Sequence, residues 1–469
     1  MEILLPIAAW ALVWVAGTAL VAALPHSRGK FTAPGEIGWL VGTGYFVGAF
    51  LLTVWMRVLS LAGMPLGRGS VGVPLVLLAA VGLWRIRRQA GPSLASAWQQ
   101  TFEVLRARGA SGGSRALWFA LLGWLALRSL LLFLEVATQP LYPWDAWMQW
   151  ATKARVWFEL KAWVPFVNTD AWLAAKGALY TDAAPTYPST IPLWQVWSSL
   201  ALGRYDDVWM NLPWWFVSVA FAIAIYGALR RIEFSPLAAL VGTWIVVSLP
   251  LADVHVALAG YADLPMAAYF TLAALATLAW IRTRSPGDAI LALLLAIACP
   301  YIKTPGIVWV STLVPAVVVA LLPRQGVRVV ATGFALAIVT LIVLAQTSPV
   351  VLNYRLHLDF VPAWGALIES FFMLGNWNLL WYGVIAVAIL AGPRLASHPI
   401  APFTMIMAAG ALFLAVVFTL TNAREWVETQ TTINRAVLHL APLSAVWMLV
   451  AFRTWAKRGE AIDAAHPAT

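Results

Sequence analysis

The chain carries little charge. Only 11% of its 469 residues are Asp, Glu, Lys or Arg, where an ordinary soluble domain has about 25%. With 62% hydrophobic residues and a mean hydropathy of +0.80, it has too few polar groups to cover its core in water. That excludes a soluble globular protein. The sequence has a single cysteine, Cys299, so no disulfide framework exists and any exported loop folds by packing alone. There is no HExxH, and the six histidines do not cluster at ligand spacing, which leaves a membrane protease or metal enzyme without support. No period of 20–50 residues is present, nor the matched Gly/Pro-broken spans of a transporter repeat. Low-complexity segments and a second, soluble domain are equally missing. The N-terminus "MEILLPIAAWALVWVAGTALVAALPH" lacks the basic start of a signal peptide and reads as a retained first span.

What fills the chain is apolar runs of the ~20 residues needed to cross hydrocarbon. About 13 spans are expected, near Ile3–Leu24, Ile37–Gly63, Val71–Trp84, Ala116–Val136, Val208–Leu229, Pro236–Leu251, Ala262–Ile281, Ala289–Ile302, Gly306–Leu322, Val329–Thr347, Trp377–Ala391, Pro402–Thr421 and Ala436–Phe452. The fold class is therefore an all-α polytopic membrane protein. The net charge of +10 admits nucleic acid as a partner, but the spacing of the basic residues decides otherwise. If the loop from "RIRRQ" at Arg85 to Arg115 is cytoplasmic, alternation gathers about 18 of the 30 basic residues on that side, with only about 6 of the 20 acids. Positive-inside bias explains that distribution, and nucleic acid is not needed. The chain then divides into a three-span unit with its basic loop (1–115), a transmembrane core (116–453) and a cytoplasmic tail (454–469). The weakly apolar segment 137–207 faces outward, so the protein is expected in the cell's inner membrane with this loop in the periplasm.

That loop holds "YPWDAWMQWATKARVWF", one carboxylate among four tryptophans. On a helix at 100° per residue, Asp145, Gln149, Thr152, Lys153 and Val156 share one side, with Arg155 and Glu159 at its margin. Trp147, Trp150, Ala151, Ala154, Trp157 and Phe158 share the other. This is an amphipathic helix suited to the membrane–water boundary, with Pro143 where a helix start tolerates it. The indoles thus have a structural reason, and Asp145 is left over. As a helix-end charge it contributes a few tenths of a kcal/mol to ~1. As a base at the outer face, beside cations able to hold a phosphate, it has a chemical use.

The outward side also carries "YTDAAPTYPSTIPLWQVW" with Asp182 and Tyr187, "GYADLPMAAYF" with Asp263, "YIKTPGIVW" with Lys303, and "NAREWVETQTTINRAVLHLAP" with Arg435 and His439. Arg57 and Arg68, near span ends, are read as snorkelling to the surface. Lys303 and Arg435 are less easily dismissed, because an ionisable group at membrane depth marks function by default. An Asp263–Lys303 ion pair that only holds spans together is the structural alternative.

Taken together, these pieces resemble the integral-membrane glycosyltransferases of the GT-C fold, and within it bacterial relatives of the protein O-mannosyltransferases and lipid A aminoarabinose transferases. The matching segments run in family order from Ala116 to about Pro442, roughly two thirds of the chain. Two positions depart from the pattern: Thr186 stands before Tyr187 where relatives often have Asp, and Pro305 stands where they commonly have Glu. Both departures leave a divalent metal an open question. The resemblance implies a GT-C-like core and an inverting enzyme. It would move a sugar from a polyprenyl-phosphate donor to a glycan, lipid or protein acceptor at the periplasmic face. On that reading Asp145 is the base. Lys303 and Arg435 hold the phosphate, with Lys153, Arg155 and His439 behind them. Tyr187, Asp182, Asp263 and Trp147 line the sugar or acceptor pocket. The alternatives are a lipid-linked polysaccharide polymerase or ligase, which leans on Arg and His in a large outer loop, and a lipid or sugar transporter.

Overall fold

The structure is a computed structural model that describes residues 4–25, 33–107, 109–351, 354–356 and 363–465. Ile3 of the first expected span, Arg108 of the basic loop and residues 466–469 of the tail lie outside them. The described chain is helical apart from one two-residue antiparallel pair, Val350–Val351 with Tyr354–Arg355, and two isolated bridges. Among the described residues, eight helices are long and apolar enough to cross a membrane, or nine if one bent pair is a single span. The chain is an all-helical polytopic membrane protein.

Every expected span has a helix at its place, but several are shorter or broken. The run Pro236–Leu251 is two helices, α9 (Pro236–Val247) and α10 (Pro250–Ala257), bent by 63° where Pro250 interrupts the ladder. Three others, in the runs Ala289–Ile302, Gly306–Leu322 and Trp377–Ala391, belong to apolar helices of only 10–17 residues. In the expected basic loop, the helix that begins at Arg68 does not stop at Trp84. It continues through "RIRRQ" to Leu105.

The chain forms two compact units, residues 1–248, 252–273 and 285–306, and residues 249–251, 274–284 and 307–469. In the first, α1 (Leu4–Ala23) and α2 (Glu36–Leu61) cross on glycines: a Cβ on Gly17 would lie 2.0 Å from the carbonyl oxygen of Gly44. Close approach through small residues is how apolar helices gain packing without a hydrophobic drive. The other side of α2 packs on α8 (Leu212–Arg231), where a Cβ on Gly42 would strike Ala224. Buried hydrogen bonds fix the register. Tyr45 donates to the Pro213 carbonyl, Tyr269 to the Phe46 carbonyl, and the Trp10 indole to Ser198 Oγ. At one end Arg231 reaches both Glu36 and Asp288, at 3.0 Å each, tying α2, α8 and α12 (Pro286–Ile302) together. The three N-terminal helices therefore share a core with α7 (Thr190–Leu202) and α8 rather than forming a separate layer.

In the second unit, α14 (Val314–Leu321) packs on α18 (Ala401–Leu420), with Val319, Val330 and Ala401 buried together. Trp309 lies fully buried, its ring edge-on to Phe413 and to His439. Asn434 joins Ser370 and Gln430 in a buried polar chain beside the short helix α20 (Ile433–Leu438).

Candidate active site

The segment expected as a regular amphipathic helix opens with a π-helical stretch, Ala146–Ala151, and only then becomes α5 (Thr152–Leu160). Thr152 Oγ1 donates to the Trp147 carbonyl, five residues back. A widened turn takes in an extra residue and rotates the downstream residues by about 100° relative to a 3.6-residue register. The face assignment nevertheless changes in only two places. Asp145, Gln149, Thr152 and Val156 stay half-buried, and Trp150, Trp157 and Phe158 are buried as expected. Lys153, however, is turned inside, and Trp147 is turned out at 47% exposure.

Lys153 is buried against the rest of the loop. Its ammonium donates to the Asp182 carboxylate, to the Ala184 carbonyl at 2.8 Å and to the Gln149 carbonyl at 3.5 Å, and it lies 5.3 Å from the centre of the Phe166 ring. Asp182 also accepts the Ala184 amide at 2.9 Å. The two side chains are 2% and 0% exposed. Burial pushes the Lys153 ammonium below its ordinary pKa, and the bond to and charge of Asp182 hold part of it back. Burial likewise pushes the Asp182 carboxyl up, opposed by Lys153 and the Ala184 amide. This pair is a latch inside the loop, and Lys153 is already matched by an anion. The strand-like contact Phe166–Tyr180 and the Thr181 bond to the Val167 carbonyl complete the loop's own packing.

Several of the expected residues pack on this segment or on the turn beside it. Tyr187 lies over Trp150, ring centres 5.4 Å apart. The π-helix start presses on the turn before α11 (Asp263–Thr283): Gly260, at φ +109°, has room for no Cβ, which would meet Ala146 at 2.5 Å. Three residues later Asp263 opens α11, fully buried, and its Oδ1 receives the Lys303 ammonium at 2.5 Å. Lys303 stands at the end of α12, before the turn that Gly306 closes on Cys299. Asp263 and Lys303 thus form an ion pair. Arg155 is exposed and stacks over Tyr205 at 5.6 Å. Burial pushes the Tyr205 phenol up to about 12.

Arg435 and His439 belong to the second unit. Arg435 is half-buried on α20. His439 is buried, and its Nδ1 accepts the Trp309 indole N–H at 3.0 Å.

Three features were not legible beforehand. A cavity of about 230 Å³ lies beside Pro143, lined by Glu135, Gln139, Tyr142, Asn211 and Leu258. A carboxylate, two amides and a phenol are groups that bind sugar hydroxyls, and Glu135 and Gln139 are the charge and the amide at the end of an otherwise apolar helix, α4 (Gly112–Thr138). Arg128, midway along α4, pairs with Asp253 of the bent helix α10. A lone Arg in an apolar span was the available signal. Third, Arg57, expected to snorkel, turns inward and is only 8% exposed, whereas Arg68 stays exposed, donating to the Leu200 carbonyl at 2.7 Å. Thr53, one turn before Arg57 on the same helix face, was the clue to a buried polar cluster.

Among the described residues no three His, Cys, Asp or Glu side chains gather as metal ligands. The chain matches no protein-family model, no curated protein and no solved structure.

Proposed function

We propose that the protein is an inverting glycosyltransferase that takes a sugar from a polyprenyl-phosphate donor at the outer membrane face. One observation carries the reading. Asp145 is half-buried at the start of a π-helix, two residues after Pro143, which lines a cavity with Glu135, Gln139, Tyr142 and Asn211, and its neighbour Ala146 presses on the turn that leads to the buried Asp263–Lys303 pair. π-Turns are rare and are found disproportionately at functional sites. In the reaction the acceptor hydroxyl oxygen attacks the anomeric carbon as the bond from that carbon to the phosphate oxygen breaks. The phosphate leaves with the electron pair, and the acceptor proton passes to the Asp145 carboxylate. A positioned base contributes about 10²–10⁴-fold to such a step, and fixed cations facing the departing phosphate contribute in the same range. Trp144 and Trp147, exposed next to Asp145, would anchor the helix at the headgroup level where donor lipid and acceptor meet.

The test is transfer from labelled polyprenyl-phosphate sugars in membranes carrying the native chain or Asp145→Asn at equal expression. The variant is expected to lose transfer by about 10²–10⁴-fold while still binding donor. Full activity in the variant removes Asp145 from the chemistry.

A second reading, a lipid or sugar transporter, is favoured by one observation: an ion pair, Arg128–Asp253, at the 63° break between α9 and α10. Broken helices and intramembrane charges line transport paths. Flux of lipid-linked sugar into proteoliposomes, without transfer, would select it.

A further inference from the structure

Of the cations first expected to meet the donor phosphate in this unit, Arg155 lies exposed over Tyr205, and the two lysines are already matched. Lys153 holds Asp182 and Lys303 holds Asp263. Phosphate departure needs positive charge that a carboxylate has not already neutralised. Arg57 supplies it. Its Nε donates to Ser189 Oγ at 3.0 Å, its Nη1 to Thr53 Oγ1 at 2.9 Å and its Nη2 to Thr190 Oγ1 at 2.9 Å. Every one of these partners is a neutral hydroxyl, and among the described residues no carboxylate pairs with Arg57. A guanidinium has five N–H donors, so two remain beyond those three bonds. Keeping a charge this buried without a counter-ion costs several kcal/mol, and a simple clamp between helices could be built from neutral groups.

The position is as telling as the charge. Ser189 and Thr190 directly follow the "TYP" that carries Tyr187, and the Arg57 guanidinium lies 5.2 Å from the centre of the Tyr301 ring, two residues before Lys303. Arg57 therefore touches both segments that frame the candidate site, and it comes from α2, outside the stretch that resembles known transferases. Tyr301 is 46% exposed, so a single exposed ring lies over the guanidinium.

We infer that Arg57 is the phosphate-receiving cation of the outer site, binding the lipid phosphate of the donor and the polyprenyl phosphate left after transfer. The inference rests on the transferase reading above. It gives the N-terminal helices a part in the chemistry, because α2 delivers a planar two-pronged donor that matches phosphate geometry.

The experiment measures binding of polyprenyl phosphate and of the neutral alcohol polyprenol to the full-length protein in nanodiscs, for native, Arg57→Gln, Arg57→Lys and Thr190→Val chains. Native protein is expected to prefer the phosphate by at least tenfold. Arg57→Gln should lose that preference with polyprenol binding unchanged, and Arg57→Lys should keep part of it. In the transfer assay, Arg57→Gln should raise donor KM. If Arg57→Gln still prefers phosphate like the native chain, Arg57 is a clamp and the inference falls, while the transferase reading stands. If native protein binds phosphate and alcohol alike, the inference also falls, and the Asp145 assay decides the transferase reading on its own. Should Arg57→Gln fail to fold, the isosteric Thr190→Val carries the test. It frees one guanidinium N–H, so phosphate binding should be preserved or tightened, and a drop in phosphate binding would assign Arg57 to structure alone.

Discussion

Removing Asp182 should open the outer loop. Its carboxylate and the Lys153 ammonium are 0% and 2% exposed, and Asp182→Ala leaves that ammonium buried with only two carbonyls, Ala184 and Gln149. Breaking a buried pair from one side costs about 3–5 kcal/mol. At about 1.4 kcal/mol per factor of ten, the loop's opening constant should rise roughly 10²–10³-fold. Hydrogen exchange reads this directly, because local opening exposes amides such as Val167, whose N–H bonds the Tyr180 carbonyl at 2.9 Å. The double change Lys153→Met with Asp182→Leu replaces the pair by apolar groups of similar size and should recover most of the loss. It should not recover all, since the Ala184 amide that Asp182 accepts is left without its partner, a cost of about 1–3 kcal/mol. If the single variant changes exchange across residues 163–183 by less than threefold, or the double variant is as open as the single one, the latch assignment is wrong.

Two further outcomes rest on the geometry. Gly260→Ala places a Cβ 2.5 Å from that of Ala146 at a φ of +109°. It should lower thermal stability by about 1–3 kcal/mol and reduce transfer by displacing the π-helix; a variant as stable and active as the native chain would contradict this. Arg128→Met and Asp253→Leu should each reduce the yield of folded protein sharply, with the double change restoring most of it. Size-exclusion profiles in detergent check that ordering, and a double variant no better than either single one would refute it.

The sequence made the helices plain because a bilayer demands long apolar runs, and those runs are read directly from composition. It misplaced side chains wherever a partner lies far along the chain or the helix leaves its regular period. Lys153 falls on the face of Asp145 at 100° per residue, but Asp182 and Ala184, 29 and 31 residues later, hold it inside. Periodicity carries no mark of such partners. Arg57 looks like a snorkelling span-end cation because Ser189 and Thr190, which hold it, come 132 and 133 residues later. The Asp263–Lys303 contact was foreseeable as an option, since a buried acid and base at two span mouths have few other partners. The break at Pro250 was visible in "SLPLAD" and was absorbed into a continuous span by its hydropathy alone.

The buried hydrogen bonds of α1 and α2 also set a timetable for biogenesis. Trp10 bonds Ser198, 188 residues downstream, and Tyr269 bonds Phe46 across 223 residues. At about 5–20 residues per second, the first helix waits roughly 10–40 s after its own synthesis before its partner exists. During that interval α1 and α2 can pair through their glycines, but the Trp10 indole N–H lacks its Ser198 acceptor and the Phe46 carbonyl has only its intrahelical partner. A nascent chain halted before Ser198 is thus a glycine-zipped hairpin with an open indole N–H, the form in which chaperones and membrane proteases would meet it.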